Sequence, residues 1–357
     1  MSIIISRLKE KFFYWLWCID SVSLSIILFL FAIGCFDLLN SIPILSNRLQ
    51  MDSLILFKKH LIFTLGGITI MLLLSAFSFK RNIKFIKIFF IFSLFLCLLV
   101  IFLGKRINGS KRWLNIFGFS IQPSLFIKDT LSIVLPYIFH DYISTIGLLF
   151  MVLILLLLEP DLGITILCLS TFIIQLFISG HLEKIFQKYK KIFYCIIPLV
   201  IIFMSFKGKY ILLRVNKFLS KNGAYQSNVA LWNLQNTNFF SGGDLPLIPE
   251  AHCDFIFVSI MSNSGIFMGI LVNISFLILF VRNINHAQFF FGKKKYIIYG
   301  IMSQMSNNFI FHALSNLGFI PSKGIGCPFL SFGGCGILSI SISCGILLSI
   351  TKKIYQE

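Results

Sequence analysis

The sequence predicts an all-α integral membrane protein, a polytopic bundle of about ten transmembrane helices, on three observations. Hydrophobic residues make up 57% of the 357 positions and the mean hydropathy is +0.91. Only 12% of residues are charged, where a soluble domain needs roughly 25% to cover its surface. The apolar residues also run unbroken, as in 23–36 and 143–158, instead of alternating as barrel strands do. Such a chain has no room for a sizeable soluble domain, so soluble-enzyme and DNA-binding functions are excluded. With no internal repeat, low-complexity tract or linker, residues 1–357 form one transmembrane domain on this reading.

In chain order, hydropathy punctuated by charge places spans near 19–40, 60–79, 87–104, 121–140, 143–158, 162–180, 192–206, 255–281, 297–318 and 331–350. Arg7 to Lys11 precede the first apolar stretch as in a signal sequence, but no small-residue cleavage site follows, which predicts an uncleaved first helix. Ten spans put both termini on one side, and Arg7, Lys9, Lys11, Lys352 and Lys353 assign that side to the cytoplasm. Lys80, Arg81, Lys84 and Lys87, then Lys184, Lys188, Lys190 and Lys191, then Arg282 with Lys293 to Lys295, form inner clusters that ordinary topology explains. Two longer polar segments, 105–128 and 207–254, fall outside; the second, between spans seven and eight, is the longest loop. Loops of that length are functional or disordered.

Lys and Arg total 31 against 13 Asp and Glu, a net charge of +18, which in a membrane protein points to lipid phosphates. The 42 Phe, with abundant Ile, Lys and Asn, indicate drift toward AT-rich codons, so part of that excess carries no function. The nine cysteines include no Cys-x-x-Cys pair and lie mostly in apolar runs, as small packing residues do. The six histidines show no metal-ligand spacing.

Carboxylates are few enough to enumerate. Asp52, Glu159, Asp161, Asp244, Glu250 and Asp254 are expected outside, and Asp129 within a span. Asp254 stands directly before the apolar run Phe255-Ile-Phe-Val. A carboxylate at that boundary is partly desolvated and becomes a stronger base; it could equally cap the helix that follows, and position alone favours the cap. Glu159-Pro-Asp161-Leu-Gly163 breaks two apolar runs, and a tight turn with Asp161 capping the next span is the simpler reading. Lys105 to Trp113 gathers four cations beside an interfacial Trp, a set able to hold a diphosphate or to contact headgroups. Pro321 to Gly334 places Gly, Pro and Lys323 before the last span. Irregular backbone there is tolerated where it lines a cavity, and its Gly spacing fits neither a P-loop nor a dinucleotide site.

In this order, Lys111-Arg-Trp-Leu, Ile121-Gln-Pro-Ser with Lys128, Pro160-Asp-Leu-Gly, Tyr225-Gln-Ser, Pro249-Glu-Ala-His-Cys-Asp-Phe-Ile-Phe and Pro321-Ser-Lys-Gly through Pro328-Phe-Leu-Ser-Phe-Gly-Gly resemble the SEDS family of bacterial cell-wall proteins (shape, elongation, division and sporulation). Pro-Glu-Ala-His before Asp254 and Pro-x-Lys-Gly in the last outer loop are similar to the family's division branch; the elongation branch typically has Arg in the Ala251 place and lacks the Lys.

The resemblance implies a peptidoglycan glycosyltransferase of the cytoplasmic membrane that polymerises lipid II at its outer face during septal wall synthesis. Its implied partners are lipid II, a class B penicillin-binding transpeptidase, other divisome proteins and membrane lipids, with no nucleic acid. Asp254 takes the place of the family's essential Asp, which moves the reading from cap to base; Arg112, Lys128, Arg214, Glu250, His252 and Lys323 become substrate contacts. No resident cofactor is implied, and a divalent cation beside the diphosphate stays open.

Departures from the family pattern predict reduced or partner-dependent activity. Leu125 stands where the family usually has Glu, Ser262-Asn-Ser-Gly265 replaces a Glu-Glu-Leu-Gly run, Glu159 replaces Gln, Cys253 replaces Thr, and the large outer loop is shortened. Two alternatives remain. A lipid II flippase would use the same cations but needs a path to both faces, which few inward-facing polar residues would line. A non-catalytic scaffold for the transpeptidase would need no base.

Overall fold

The computed structural model describes residues 14–15, 17–49, 52–107, 110–116, 119–159, 161–185, 187–188, 225–243, 248–321 and 324–352. Its helices are α1 (Ser21–Leu49), α2 (Ser53–Ala76), α3 (Phe79–Leu103), α4 (Pro123–Val134), α5 (Tyr142–Leu158), α6 (Leu162–Ile178), α7 (Tyr225–Gln235), α8 (Ile256–Ser264), α9 (Ile266–Ala287), α10 (Lys293–Asn316) and α11 (Gly334–Ile350). Four of them, α1, α2, α3 and α9, are long and apolar enough to cross a membrane unaided, and α5, α6 and α11 are shorter apolar helices. The protein is a multi-pass membrane bundle. The expected span at 192–206 lies outside the described residues, and the expected span at 255–281 is two helices, α8 and α9, divided at Gly265.

Sequence chemistry accounts for the helix starts. Asp52 caps α2, its side chain accepting from Leu54 N at 3.0 Å, and Pro123 opens α4 at the position where its missing N–H costs nothing. Asp161 caps α6 as expected, accepting from Ile164 N at 3.3 Å. Between α3 and α4, in the segment expected as a polar loop, the chain forms a small antiparallel meander of β1 (Lys105–Ile107), β2 (Ser110–Ile116) and β3 (Phe119–Ile121). Leu114 pairs with Ile121 and Lys105 with Trp113.

The last helix is the core of the bundle. Nearly every α11 side chain is buried, and it runs along α2 at close range. A Cβ on Gly345 would come 2.7 Å from Leu74 Cβ and 2.9 Å from the Met71 carbonyl, and one on Gly67 would come 2.6 Å from Ser341 Oγ. Lipid offers apolar groups no reason to leave it, so membrane helices associate through such close small-residue contacts. Gly345→Val should therefore lower stability by about 2 kcal/mol, read as a drop in the thermal unfolding midpoint in detergent, while Gly336→Ala, where a Cβ meets nothing within 4 Å, should leave it unchanged.

Inward-facing polar residues are many, which corrects the sequence expectation of few. They pair with one another between helices: Thr171 Oγ1 donates to Gln304 Oε1 at 2.6 Å, Gln175 Nε2 to the Ser132 and Tyr296 carbonyls at 2.7 and 3.1 Å, and Asn283 Nδ2 to Ser23 Oγ at 3.0 Å. These bonds join helices, as polar groups inside membrane bundles do, and leave those side chains engaged within the protein.

The two ends of the bundle differ in chemistry. At one end Lys87 and Lys293 lie 4.0 and 4.7 Å from the Tyr137 ring and Lys294 lies 5.6 Å from Phe79, so three sequence-distant segments share one basic, aromatic face. Arg282 grips Asp20 there, with Nη2 2.7 Å and Nε 2.9 Å from Oδ1. The meander, the α5–α6 turn and the loops at 248–255 and 324–333 occupy the opposite end.

Candidate active site

Asp254 lies in a tight turn built by its own motif. Glu250 adopts a left-handed φ of 60°, and its carbonyl accepts from the N–H groups of Cys253, Asp254 and Phe255 at 3.0, 3.0 and 3.3 Å. A non-glycine residue in that conformation costs about 1 kcal/mol or more, and such strain collects at functional sites. The turn is fastened to the last loop along its length. Phe332 N donates to the His252 carbonyl at 2.8 Å, Cys253 Sγ to the Phe332 carbonyl at 3.1 Å, and Ser331 Oγ to the Cys253 carbonyl at 2.9 Å. Ser331 Oγ in turn accepts from Cys327 N at 2.6 Å. The His252 ring meets Phe332 edge-on at 5.7 Å and His60 stacks on the same Phe at 5.6 Å.

Helix capping at α8 falls to a residue the sequence reading did not single out. The N-cap position is Phe255, which makes no side-chain cap bond. Asn316, at the end of α10, accepts from Val258 N through Oδ1 at 3.3 Å and donates through Nδ2 to the Asp254 carbonyl at 2.7 Å and the His312 carbonyl at 3.0 Å. The Asp254 backbone is thus held by a buried amide while its side chain is partly exposed. A Cβ added to Gly324 would lie 3.9 Å from Asp254 Oδ2, so the chain at Gly324 passes beside the carboxylate. Lys323, one residue earlier, and Arg214 of the long loop lie outside the described residues.

Glu250 and His252, expected as substrate contacts, sit together, with Oε2 and Nε2 3.6 Å apart. Arg112 stands on β2, with Nη1 3.7 Å from Asp161 Oδ1, and Gln122 Nε2 donates to the other Asp161 oxygen at 3.0 Å. Burial raises the pKa of Asp161, against the pull of Arg112. Glu159, two residues earlier in the same turn and 1% exposed, is pushed up to about 8, first by burial; the Cys97 thiol beside it lowers it and the Asp161 carboxylate raises it further.

Lys128 is 5% exposed, with Nζ 3.4 Å from Asp129 Oδ1. With the Asn308 amide turned so that its oxygen faces Lys128, the two are 3.0 Å apart and the amide nitrogen is 3.2 Å from the Gly326 carbonyl. Lys128 therefore reaches the loop beside Asp254 through Asn308 and lies buried, where the sequence reading has it as a direct phosphate contact. Among the described residues no group of three or more His, Cys, Asp or Glu side chains could hold a metal ion.

The arrangement offers two partly exposed carboxylates, Glu250 and Asp254, on a cross-bonded turn. A family model described as cell cycle protein, covering FtsW, RodA and SpoVE, matches residues 21–356. Curated relatives include the probable peptidoglycan glycosyltransferase FtsW of Buchnera aphidicola subsp. Schizaphis graminum, 30% identical over 84% of this chain and 90% of its own length. The protein of the same name from Aliivibrio salmonicida is 25% identical over 88% of this chain and 84% of its own. Among solved structures, a chain from work titled structural coordination of polymerization and crosslinking by a peptidoglycan synthase complex superposes with a TM-score of 0.75 at 20% identity, covering 95% of this chain and 99% of that one. The rod shape determining protein RodA of Thermus thermophilus superposes at 0.67 and 20% identity with the same coverages.

Proposed function

The chain belongs to the FtsW/RodA/SpoVE family of cell cycle proteins, and from that premise we propose that it is a peptidoglycan glycosyltransferase with Asp254 as its catalytic base. The observation that carries this reading is the turn at 249–255: a strained Glu250 and bonds to two other segments hold a partly exposed carboxylate at one end of the bundle. A glycosyl transfer needs such a group. The acceptor sugar hydroxyl loses its proton to Asp254 as its oxygen bonds to the donor anomeric carbon, and the bond from that carbon to the diphosphate oxygen breaks. Undecaprenyl diphosphate then leaves with the electron pair, and cations stabilise it without a general acid. One carboxylate suffices, unlike the paired carboxylates of sugar hydrolases.

Arg112, Arg214 and Lys323 supply those cations, Glu250 and His252 border the sugar, and Lys128 supports the 324–333 loop through Asn308. The substrate is lipid II, taken from the outer leaflet of the bacterial cytoplasmic membrane at the division septum, with both termini of the chain in the cytoplasm. The partner is a class B penicillin-binding transpeptidase of the FtsI type, within the larger set of division proteins. Residues 1–357 act as one domain.

The test is polymerisation of lipid II by the purified chain, with and without its transpeptidase carrying an inactivated crosslinking site. Glycan strands from the chain alone or from the complex are expected. A folded complex that yields none would leave the scaffold or flippase readings in its place.

A further inference from the structure

Asp37, on α1, is a carboxylate inside an expected span and outside the list of outward-facing acids. It is 2% exposed, and a buried acid inside a membrane bundle is costly enough to mark a function. Both of its partners sit on α8. Asp37 Oδ2 accepts from Ser259 Oγ at 2.8 Å and Oδ1 from Asn263 Nδ2 at 2.8 Å. Asn263 Nδ2 also reaches Ser259 Oγ at 3.2 Å, and Ser41 Oγ lies 3.4 Å from the same hydroxyl. Ser259 and Asn263 are four residues apart, one above the other on a single face of the helix.

The helix they hold is short and interrupted. It begins two residues after Asp254 and ends at Gly265, whose φ of 91° breaks it from α9. The segment 238–243 is tied to the end of α8 by Gly243 N donating to the Ser262 carbonyl at 3.3 Å, and to the start of α9 by Ile266 N and Phe267 N donating to the Asn238 and Phe239 carbonyls at 3.1 and 2.9 Å and by the Phe267 ring against Phe239 and Phe240. Those bonds, with Asn316 at the other end, hold the two ends of the helix, and the Asp37 pair grips one face between them. Ser259 stands five residues beyond Asp254, in the first turn of the helix that leaves the Asp254 turn through Phe255, so the Asp37 pair anchors the element that continues directly from that turn.

We propose that Asp37 is a positioning residue for the glycosyl transfer: by holding Ser259 and Asn263 it anchors α8 directly behind the Asp254 turn and so keeps the Asp254 carboxylate in place before the acceptor hydroxyl. The inference rests on the reading of Asp254 as the base.

The test uses the full chain in complex with its crosslinking-inactive transpeptidase, and measures initial rates of lipid II polymerisation across lipid II concentrations together with thermal unfolding. The variants are Asp37→Asn, Asp37→Asn combined with Asn263→Asp, and Asp254→Asn. Asn at 37 keeps the volume but sets an amide nitrogen against a donor; the double variant returns a carboxylate to the pair from the α8 side. Asp37→Asn is expected to lower kcat about tenfold or more, as misplacement of a reacting group does, with KM within about twofold, and the double variant to recover most of the loss. A kcat for Asp37→Asn within about twofold of wild type, or a loss that tracks the unfolded fraction with kcat per folded molecule unchanged, overturns the proposal. Should the double variant stay as slow as the single one, the pair is not the device and the proposal falls. An Asp254→Asn protein as fast as wild type removes the base reading itself, whereas an inactive Asp254→Asn beside a fully active Asp37→Asn removes only the role given to Asp37.

Discussion

Asp254→Asn should slow glycan polymerisation by about 100-fold or more, the usual contribution of a positioned general base, without loss of fold. The second half of that expectation comes from the geometry. Were Asp254 the cap of α8, replacing its carboxylate would fray the helix and lower activity for a structural reason. The cap position is Phe255, the Val258 N–H is taken by Asn316, and Asn316 holds Asp254 by its backbone carbonyl. Asn at 254 keeps that carbonyl and the shape of the side chain and removes the proton acceptor. The rate loss should therefore fall on kcat, with the unfolding midpoint in detergent unchanged and co-purification of the transpeptidase intact. Asp254→Glu, one methylene longer on the same backbone, should retain an intermediate rate. Wild-type rates from Asp254→Asn would return the carboxylate to a passive role and leave the protein a scaffold or a flippase.

Asp254 was legible because a motif surrounds it, and the spans because each is a long apolar run. What the sequence hid follows from sequence distance and from charge. Asp37 lies 222 and 226 residues from its partners Ser259 and Asn263, so no local spacing reveals the pair, and an acid inside an apolar run reads as an exception to its span. Asn316 lies 62 residues from Asp254, whose backbone it holds, again beyond any local spacing. Helix starts were displaced where charges begin them: α2 starts at Ser53, ahead of Lys58, Lys59 and His60, and α10 at Lys293, inside a lysine cluster. Hydropathy registers the apolar middle of such helices and misses their polar first turns. The break at Gly265 was hidden for the opposite reason, since one Gly in an apolar stretch is tolerated in a helix and here adopts a φ of 91°. The meander escaped because strands of three, seven and three residues are too short for alternation to register.

Glu159 gives the bundle an unusual dependence on pH, and its direction can be worked out. The Glu159 carboxyl is pushed from 4.5 up to about 8, first by burial, so between those values the folded protein keeps a proton that the unfolded chain has released. The unfolded state then binds fewer protons, and stability falls as pH rises from about 4.5 to about 8, remaining low above that. At roughly 1.4 kcal/mol for each tenfold change in proton affinity, the full effect is on the order of a few kcal/mol. Glu159→Gln removes the ionisation and keeps the shape. Its unfolding midpoint should match wild type near pH 5 and exceed it increasingly toward pH 8.5, the difference between the two proteins cancelling the contributions of groups that do not interact with Glu159. A difference independent of pH would mean that Glu159 is ionised in the folded protein throughout, held so by Arg112, and the turn would then carry two negative charges against one guanidinium. A neutral Glu159 instead leaves the turn with one negative charge, that of Asp161, beside Arg112, and a phosphate arriving at Arg112 then competes with it. That is the condition under which a single arginine can serve both the fold and a diphosphate.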